Sequence, residues 1–401
     1  AATVAPNLIF TPAFAYVLGM ADTKSPAVEL SKETLRRLAN YEESPALSIY
    51  MPLQTPSAKA TKRQENIIRL KNLLREAGRD NDPLLEPVIE DLRQEQERSG
   101  HLWDPRDKGL AIFAAPDFAE IVALSEEVRE KVESNNHFHL KPLFRPGALP
   151  TDYYLVSLDM HNVKLFAGGV RGLQEIPLGD SAKEMPDILK EFDFERSLNW
   201  TPGRGAAGGD VYVGYAGGDE SLTPHIIEFI EGVDQAIRQK MAGDDSPVIL
   251  VGTDNVVGHY RRHSKLKTLT EAHIHGGAGS MKESELHKRA GEIVHGIQQQ
   301  ALEEELAGVR EGIDSRQGVH DIGSVLKAAY EGRLRVLFVA EDRELKGHFN
   351  TVTEEVTYQE GGSDLLDLAA CFAFRTGGRV FTVPESELPG KGPAAGLLHP
   401  G

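Results

Sequence analysis

The chain has 401 residues, of which 40% are hydrophobic and 26% charged, and its formal net charge is −17. This balance is typical of a folded globular protein, and no apolar run approaches the roughly 20 residues of a membrane-spanning helix, so a soluble protein without membrane contact is predicted. The negative charge argues against a protein that coats DNA or RNA over its whole surface, because such binding draws on many Lys and Arg contacts to phosphate.

The cysteine content and the chain length further limit the kinds of protein that this sequence can encode. Cys371 is the single cysteine, which excludes an internal disulfide and any zinc site built from Cys-x-x-Cys pairs, and suits the reducing cytoplasm that we predict as its location. A chain this long exceeds what one hydrophobic core usually serves, so two or three domains are expected. The opening stretch is interrupted by Pro6 and Pro12 and fits a signal peptide poorly. Met20 resembles a natural start residue, so residues 1–19 are expected to be a leader. The leader segment is expected to extend to residue 24.

The first predicted domain, residues 25–147, mixes helices and strands. Ser31 is placed to cap a helix, and alternation of apolar and polar residues predicts a strand over 46–53. Apolar residues at helical spacing predict a helix over 59–77 that ends at Gly78. A second helix and two strands are predicted at 83–99, 109–116 and 119–124.

The second predicted domain, residues 148–277, opens with three apolar segments over 153–178 that read as a three-stranded meander. Pro224–Met241 follows as an amphipathic helix, and 246–255 as a buried strand. This order of antiparallel strands, helix and buried strand resembles the ribonuclease H-like arrangement.

The third predicted domain, residues 278–401, begins with a long charged helix over Ser284–Leu306. The order helix, glycine, strand then occurs twice, over 318–344 and 364–387, which indicates an α/β sandwich with short connections. The predicted fold class is therefore α/β (α+β), with an N-terminal α/β unit, a ribonuclease H-like centre and a C-terminal α/β sandwich.

Segments of all three domains resemble, in the same order, the archaeal and eukaryotic class-I release factors. The segments are LSIYMPLQTP (47–56), KATKRQENIIRLKNLLREAG (59–78), YYLVSLDMHNVKLFAGG (153–169), VLKAAYEGRLRVLFVAED (325–342) and DLLDLAACFAFRTGGRVFTV (364–383). The chain is similar to the bacterial branch of this archaeo-eukaryotic release factor family. The resemblance implies a factor that acts on the ribosome in termination, rescue or hibernation. It also implies a third domain that binds a protein partner and resembles kink-turn-binding ribosomal proteins.

The resemblance places the chemistry in a loop of the second domain. In release factors a Gly-Gly-Gln loop enters the peptidyl transferase centre and positions the water that cleaves peptidyl-tRNA. The corresponding stretch here is PGRGAAGGD (202–210), in which Gly208 and Gly209 are followed by Asp210. Because a carboxylate and an amide differ in their hydrogen bonds, binding without peptidyl-tRNA hydrolysis is predicted. A glycine-rich surface loop with no such role is the plainer alternative.

Two local basic patches are the candidates for contact with rRNA or tRNA. The first, SAKATKRQEN (57–66) and the helix after it, lies where the family has its codon-reading Asn-Ile-Lys-Ser turn, which is absent here. The second, GHYRRHSKLKTL (258–269), combines an aromatic residue with clustered positive charge. The candidate RNA-binding residues are Lys59, Lys62, Arg63, Arg69, Arg204, Tyr260, Arg261, Arg262, Lys265 and Lys267. Solvated basic faces are the alternative.

Two carboxylates of the second domain suggest a metal-dependent nuclease as an alternative function. Asp159 is expected on its first strand and Asp254 at the end of its buried strand, with Glu228 or Glu231 available on the helix between them. Carboxylates placed in this way hold two metal ions in such nucleases. Ordinary turn residues at strand ends explain the same pattern.

Four histidines, His259, His263, His273 and His275, lie close in the sequence. A His-x-His pair on a strand edge is able to bind zinc or nickel, but the sequence shows no third ligand, so a solvated loop is predicted and no metal or cofactor is assigned. No phosphate-binding loop, dinucleotide fingerprint, GxSxG or HExxH motif is present. The remaining alternatives are a peptidyl-tRNA hydrolase and a non-ribosomal module that holds a protein partner through its acidic surface and third domain.

Overall fold

The computed structural model describes residues 27–41, 44–53, 61–79, 82–86, 88–90, 92, 107–159, 162–178, 223–276 and 281–400. These residues form a mixed α/β fold with four sheets. Those from 151 to 294 form one compact unit, the central unit, and those up to 150 and from 295 onward form a second, the outer unit.

The first part of the chain builds one mixed sheet. Its elements are β1 (Ala27–Glu29), α1 (Lys32–Ala39), β2 (Ala46–Pro52), α2 (Thr61–Glu76), β3 (Gly109–Ala115), β4 (Phe118–Leu124) and β5 (Lys131–Asn135). The strand order is β1-β4-β3-β2-β5. Ser31 caps α1 as predicted, since its Oγ accepts a hydrogen bond from the Thr34 amide at 3.0 Å. The helix predicted over 83–99 begins with a 3-10 turn at Pro83–Leu85.

The central unit has the predicted order of meander, helix and buried strand. Its elements are β6 (Tyr153–Asp159), β7 (Asn162–Gly169), β8 (Gly172–Ile176), α3 (Thr223–Met241), β9 (Val248–Gly252), α4 (Asp254–His263) and β10 (Ile274–His275). The sheet order is β10-β9-β6-β7-β8. β6, β9 and β10 run parallel, and β7 is antiparallel to both of its neighbours. The sequence did not predict α4.

The third part of the chain builds two further sheets. Its elements are α5 (Glu283–Asp314), β11 (Gly318–Val319), α6 (Ile322–Tyr330), β12 (Leu334–Ala340), β13 (Lys346–Asn350), β14 (Glu355–Tyr358), β15 (Ser363–Asp364), α7 (Leu365–Arg375), β16 (Arg379–Val383) and β17 (Ala394–Leu398). The sheets have the orders β11-β17-β12-β16 and β14-β13-β15. Both predicted helix–glycine–strand units are confirmed. Gly332 and Gly377, at φ 68° and 93°, take up the left-handed backbone that ends α6 and α7.

The sheet of the central unit is covered on both faces. Val248 and Leu250 of β9 pack in one cluster with Val233 and Ile237 of α3. The alternate β9 residues, Ile249 and Val251, pack on the opposite face with Ile274 and with Leu286 and Ala290 of α5. This explains why the strand reads as a continuous apolar run in the sequence, since both faces are buried.

The outer unit has a large core to which both ends of the chain contribute. Tyr50, Phe113 and Phe138 from the first part belong to the same buried cluster as Phe338 and Leu366 from the third. The three-domain division at 25–147, 148–277 and 278–401 stays a prediction, and the shared core adds that its first and third members pack as one unit.

Among the helices that the structure describes, none combines the length and the apolar character needed to cross a membrane.

Candidate functional site

The carboxyl ends of the parallel strands of the central unit meet at one edge of its sheet. Ser157 of β6 is paired with Val251 of β9, and His275 of β10 with Gly252 of β9. The backbone of Asp159, at the end of β6, therefore lies at the same edge as the β9–α4 junction, while its side chain lies outside the described part of the chain. The edge brings together residues that are far apart in the sequence.

The sequence predicted Asp254 at the end of the buried strand, but in the structure it is the first residue of α4. β9 ends at Gly252, and Thr253 takes an extended backbone as the cap before α4 begins. A carboxylate in the first turn of a helix is stabilised by the helix dipole, and Arg261 and Arg262 in the last turn favour the helix for the same reason.

Two histidines lie against this carboxylate. His273 Nε2 is 2.9 Å from Asp254 Oδ1, and His275 Nδ1 is 3.4 Å from the same oxygen. Hydrogen bonds from His273 and then His275 hold the pKa of Asp254 below its ordinary value. One potential ligand atom from each of the three residues lies within 4.8 Å of those from the other two. We call Asp254, His273 and His275 the edge cluster.

The nuclease arrangement is not assembled by the residues that the structure describes. Asp254 is grouped with histidines, and neither group of three potential metal ligands found in the described residues contains Glu228 or Glu231. Glu231 instead lies 3.4 Å from the ammonium of Lys265. The remaining histidines of the predicted loop, His259 and His263, lie on α4.

Tyr260 does not face solvent, which corrects its assignment as an RNA-stacking residue. Its side chain is 1% exposed, and its hydroxyl donates to Asp234 Oδ1 at 3.4 Å. Burial, followed by the charge of Asp234, raises the pKa of Tyr260 above its ordinary value. The ring is part of the core and has no free face on which a base could stack.

Asp234 is a buried carboxylate that the sequence analysis missed. It accepts hydrogen bonds from Arg238 Nε at 3.0 Å and from the Lys265 amide at 3.2 Å, and it also accepts one from the Ser264 hydroxyl. These bonds fix the turn by which the chain leaves α4. A charged residue between Ile230, Val233 and Ile237 on the apolar face of α3 was the signal in the sequence.

The second basic patch divides into a structural and an exposed part. Arg261 Nη2 donates to the Thr270 carbonyl at 2.9 Å and also to the Glu271 carbonyl, so it holds the segment that leads into β10. Arg262, Lys265 and Lys267 are exposed. Lys265 is paired with Glu231, so Arg262 and Lys267 are the members of this patch that remain available for phosphate contact.

The first basic patch is described in part. Lys59 and the side chains of Lys62 and Arg63 lie outside the described residues. Arg69 of α2 forms a hydrogen-bonded ion pair with Glu130. Its charge therefore has a partner within the protein.

The glycine-rich loop also lies outside the described residues. This includes Arg204, Gly208, Gly209 and Asp210, so the predicted chemistry of the loop rests on its sequence.

A second His–Asp group, unpredicted by the sequence, lies in the core of the outer unit. Asp367 of α7 is 1% exposed and accepts the amides of Leu140 and Lys141 at 2.7 and 2.6 Å. His137 Nε2 lies 3.1 Å and His139 Nδ1 3.4 Å from its carboxylate. Burial alone would raise the pKa of Asp367, but His139 and His137 beside it hold the pKa well below its ordinary value.

Cys371 lies one helical turn after Asp367 and is buried. Burial and the neighbouring charge of Asp367 raise the pKa of this thiol, which opposes formation of the reactive thiolate. We call Asp367, His137, His139 and Cys371 the core cluster.

Comparison with solved structures finds distant likenesses. The archaeal translation termination factor aRF1 is 13% identical over 92% of this chain and 99% of its own, with a TM-score of 0.21. Pelota from Archaeoglobus fulgidus is 14% identical over 75% of this chain and 80% of its own, with a TM-score of 0.30. Dom34 from S. cerevisiae, a translation termination-like factor, is 9% identical over 73% and 74%, with a TM-score of 0.34. Similarities this low carry no argument of their own.

Comparison of the sequence finds a family match over part of the chain. No curated protein matches the chain. The family described as bacterial archaeo-eukaryotic release factor family 7 matches residues 153–296, which run from the start of β6 into α5 and include the whole edge cluster. Over this segment the chain is similar to the bacterial archaeo-eukaryotic release factors.

Proposed function

We propose that the protein is a release-factor-like protein that binds the ribosome in termination, rescue or hibernation without hydrolysing peptidyl-tRNA. The observation that carries this proposal is the family match over residues 153–296, because it spans all strands of the central sheet and both of its helices.

The exposed basic residues support a contact with ribosomal RNA or tRNA. Arg262 lies in the last turn of α4, and Lys265 and Lys267 follow it, all three exposed. The hydrogen bonds of Asp234 fix the turn that carries them. A local patch of this kind is enough to position a protein on phosphate even when its net charge is −17.

The absence of hydrolysis is argued from the glycine-rich loop. Asp210 follows Gly208 and Gly209 where the family's catalytic loop has glutamine. An ionised carboxylate only accepts hydrogen bonds, whereas an amide both donates and accepts. Asp210 therefore lacks the donor that a glutamine side chain would bring to the ester.

Cosedimentation with 70S ribosomes tests the proposal. Purified protein is mixed with ribosomes that are vacant or carry peptidyl-tRNA, and peptide release is measured in the same tubes. We expect binding that weakens as salt rises, with no release above the rate of ribosomes alone. Failure to sediment with either ribosome at low salt would overturn ribosome binding and favour a protein-interaction module. Release that depends on residues 203–210 would instead restore the hydrolase.

A pair of charge-matched variants tests the RNA-facing patch. Arg262→Glu/Lys267→Glu should weaken binding and lower the slope of log Kd against log salt by about one for each lost phosphate contact. Lys240→Glu/Lys288→Glu makes the same change of charge at exposed positions on α3 and α5. Equal weakening by both pairs would show that net charge, and not this patch, determines the affinity.

A further inference from the structure

His275 of β10 and His273, the residue just before that strand, present their imidazoles on one side, since both contact Asp254 Oδ1. Ile274 lies between His273 and His275, is 3% exposed, and packs into the core with Leu286 and Ala290. Because successive side chains of a strand point to opposite faces, the two histidines share the face away from that core. The His-x-His spacing thus becomes a pair of neighbouring ligands.

The third ligand comes from the adjacent strand. His275 is paired with Gly252 in the parallel β9–β10 ladder, and Asp254 lies two residues beyond Gly252 at the start of α4. This register brings the Asp254 carboxylate to the imidazoles although 19 and 21 residues separate it from them in the sequence.

The backbone that carries the cluster is held on both sides. The Thr270 amide donates to the Val248 carbonyl at 3.0 Å, and the Gly276 amide donates to the Gly252 carbonyl at 3.2 Å. Arg261 adds its hydrogen bond to the Thr270 carbonyl at 2.9 Å. The backbone that carries the ligands is therefore positioned by the fold before any ion arrives, which favours binding at a small site.

The distances match the size of a transition-metal ion. Two ligands bound tetrahedrally at about 2.1 Å lie about 3.4 Å apart. The two nitrogens lie 2.9 and 3.4 Å from Asp254 Oδ1, and the three ligand atoms all fall within 4.8 Å of one another. Asp254 and His275 are 79% and 69% exposed, so an ion reaches them from solvent.

We infer that Asp254, His273 and His275 form a binding site for a late first-row divalent metal ion, of which Zn²⁺ is the best physiological fit. Two imidazoles and one carboxylate suit Zn²⁺, Co²⁺ or Ni²⁺, whereas Mg²⁺ and Ca²⁺ prefer an all-oxygen shell. Three protein ligands leave a fourth position for water or an anionic ligand. This inference is independent of ribosome binding, since it needs only the central unit's own residues.

Metal binding by the full chain tests the inference. Protein treated with a chelator and then freed of it is titrated with Zn²⁺ by calorimetry, and bound metal is counted after equilibrium dialysis. We expect one Zn²⁺ per chain. Asp254→Asn, His273→Gln and His275→Gln should each weaken binding about tenfold or more. His263→Gln, in the same unit, and His348→Gln, exposed on β13, are matched controls that should leave the affinity unchanged.

Co²⁺ supplies a second, spectroscopic readout. Wild-type protein with Co²⁺ should show the intense visible bands of a four- or five-coordinate ion, and the edge-cluster variants should lose them. Circular dichroism in the presence of chelator shows whether each variant is folded. Because His275 is largely exposed, His275→Gln keeps the test valid even if His273→Gln does not fold. Equal stoichiometry and affinity in wild type and folded His275→Gln would overturn the site, as would wild-type protein that retains no Zn²⁺ after dialysis.

Discussion

Two carboxylates in this protein each lie beside two histidines, and their surroundings differ. Asp367 of the core cluster is 1% exposed and accepts two main-chain amides in addition to its imidazole contacts. Asp254 of the edge cluster is 79% exposed, and its carboxylate contacts the imidazoles of His273 and His275.

The difference decides what each group is able to do. A metal ion at Asp367 would compete with the amides of Leu140 and Lys141 for the carboxylate, and a buried amide that loses its acceptor costs about 1–3 kcal/mol. At Asp254 the oxygens face water, so an ion that binds there displaces solvent. It also breaks the two hydrogen bonds from the imidazoles, but each imidazole then forms a coordinate bond to the ion. The same residue types therefore hold the core together in one unit and offer ligands at the surface of the other.

Asp367→Asn should give the largest effect and tests this contrast directly. The asparagine removes the charge that the amides and imidazoles stabilise, and its amide group has to face donors, so we expect a loss of about 4 kcal/mol in the free energy of unfolding. Urea denaturation in the presence of chelator measures it. Asp254→Asn is the matched substitution and should cost much less, because this carboxylate is largely exposed to water. Equal losses in the two variants would contradict the contrast.

Lys141→Met should destabilise the outer unit nearly as much. Lys141 Nζ lies 2.7 Å from Asp364 Oδ2 and donates to the Arg343 carbonyl at 2.5 Å, with both charged side chains buried. Without the cation, the buried Asp364 keeps only neutral donors, so we expect a loss of about 3 kcal/mol. Lys108→Met is the control, because its ion pair with Glu126 at 3.5 Å is exposed and should be worth about 0.5 kcal/mol or less. A similar result for both lysines would show that burial is not the cause.

The pH dependence of stability tests the lowered pKa of Asp367. The pKa of Asp367 is lower in the folded protein than its unfolded value near 4. Its contribution is therefore complete above about pH 4 and is lost as the pH falls toward the folded pKa, so stability rises with pH in this window. Between pH 5 and pH 3 wild type should lose about 1 kcal/mol more than Asp367→Asn, measured by urea denaturation. Parallel pH profiles for the two proteins would contradict the lowered pKa.

Tyr260→Phe extends the comparison to the buried carboxylate of the central unit and should give the smallest effect. Asp234 loses a 3.4 Å hydrogen bond but keeps Arg238, Ser264 and the Lys265 amide as donors. We expect a loss of about 0.5–1 kcal/mol in thermal or urea denaturation, with unchanged sedimentation with ribosomes. Loss of ribosome binding in this folded variant would return Tyr260 to the RNA-contacting surface.

Local sequence patterns determined most of the secondary structure. The Ser31 cap, the meander of β6 to β8, the helix α3 and both helix–glycine–strand units follow from hydrophobic period and turn residues that lie within a few positions of one another. The exception is α4, where the first turn carries no side-chain cap hydrogen bond and the polar run from Gly258 to Lys267 hides the helical period.

The roles of the candidate residues were decided by contacts between distant parts of the chain. The charged neighbours of Tyr260 in the sequence predict an exposed aromatic residue. In the structure its hydroxyl instead donates a hydrogen bond inside the core to Asp234, which lies 26 residues earlier. His137 and Asp367 meet across 230 residues. No local pattern encodes such pairs, because they depend on which strands and helices become neighbours.

The edge cluster shows both contributions in one place. The sequence alternates His273, Ile274 and His275, and this alternation predicts both imidazoles on one face. The third member, Asp254, joins them only through the parallel register of β9 and β10, which pairs Gly252 with His275. The sequence determined the ligand types, and the tertiary structure decided that they meet, because burying Ile274 and β9 in a common core fixes the strands side by side.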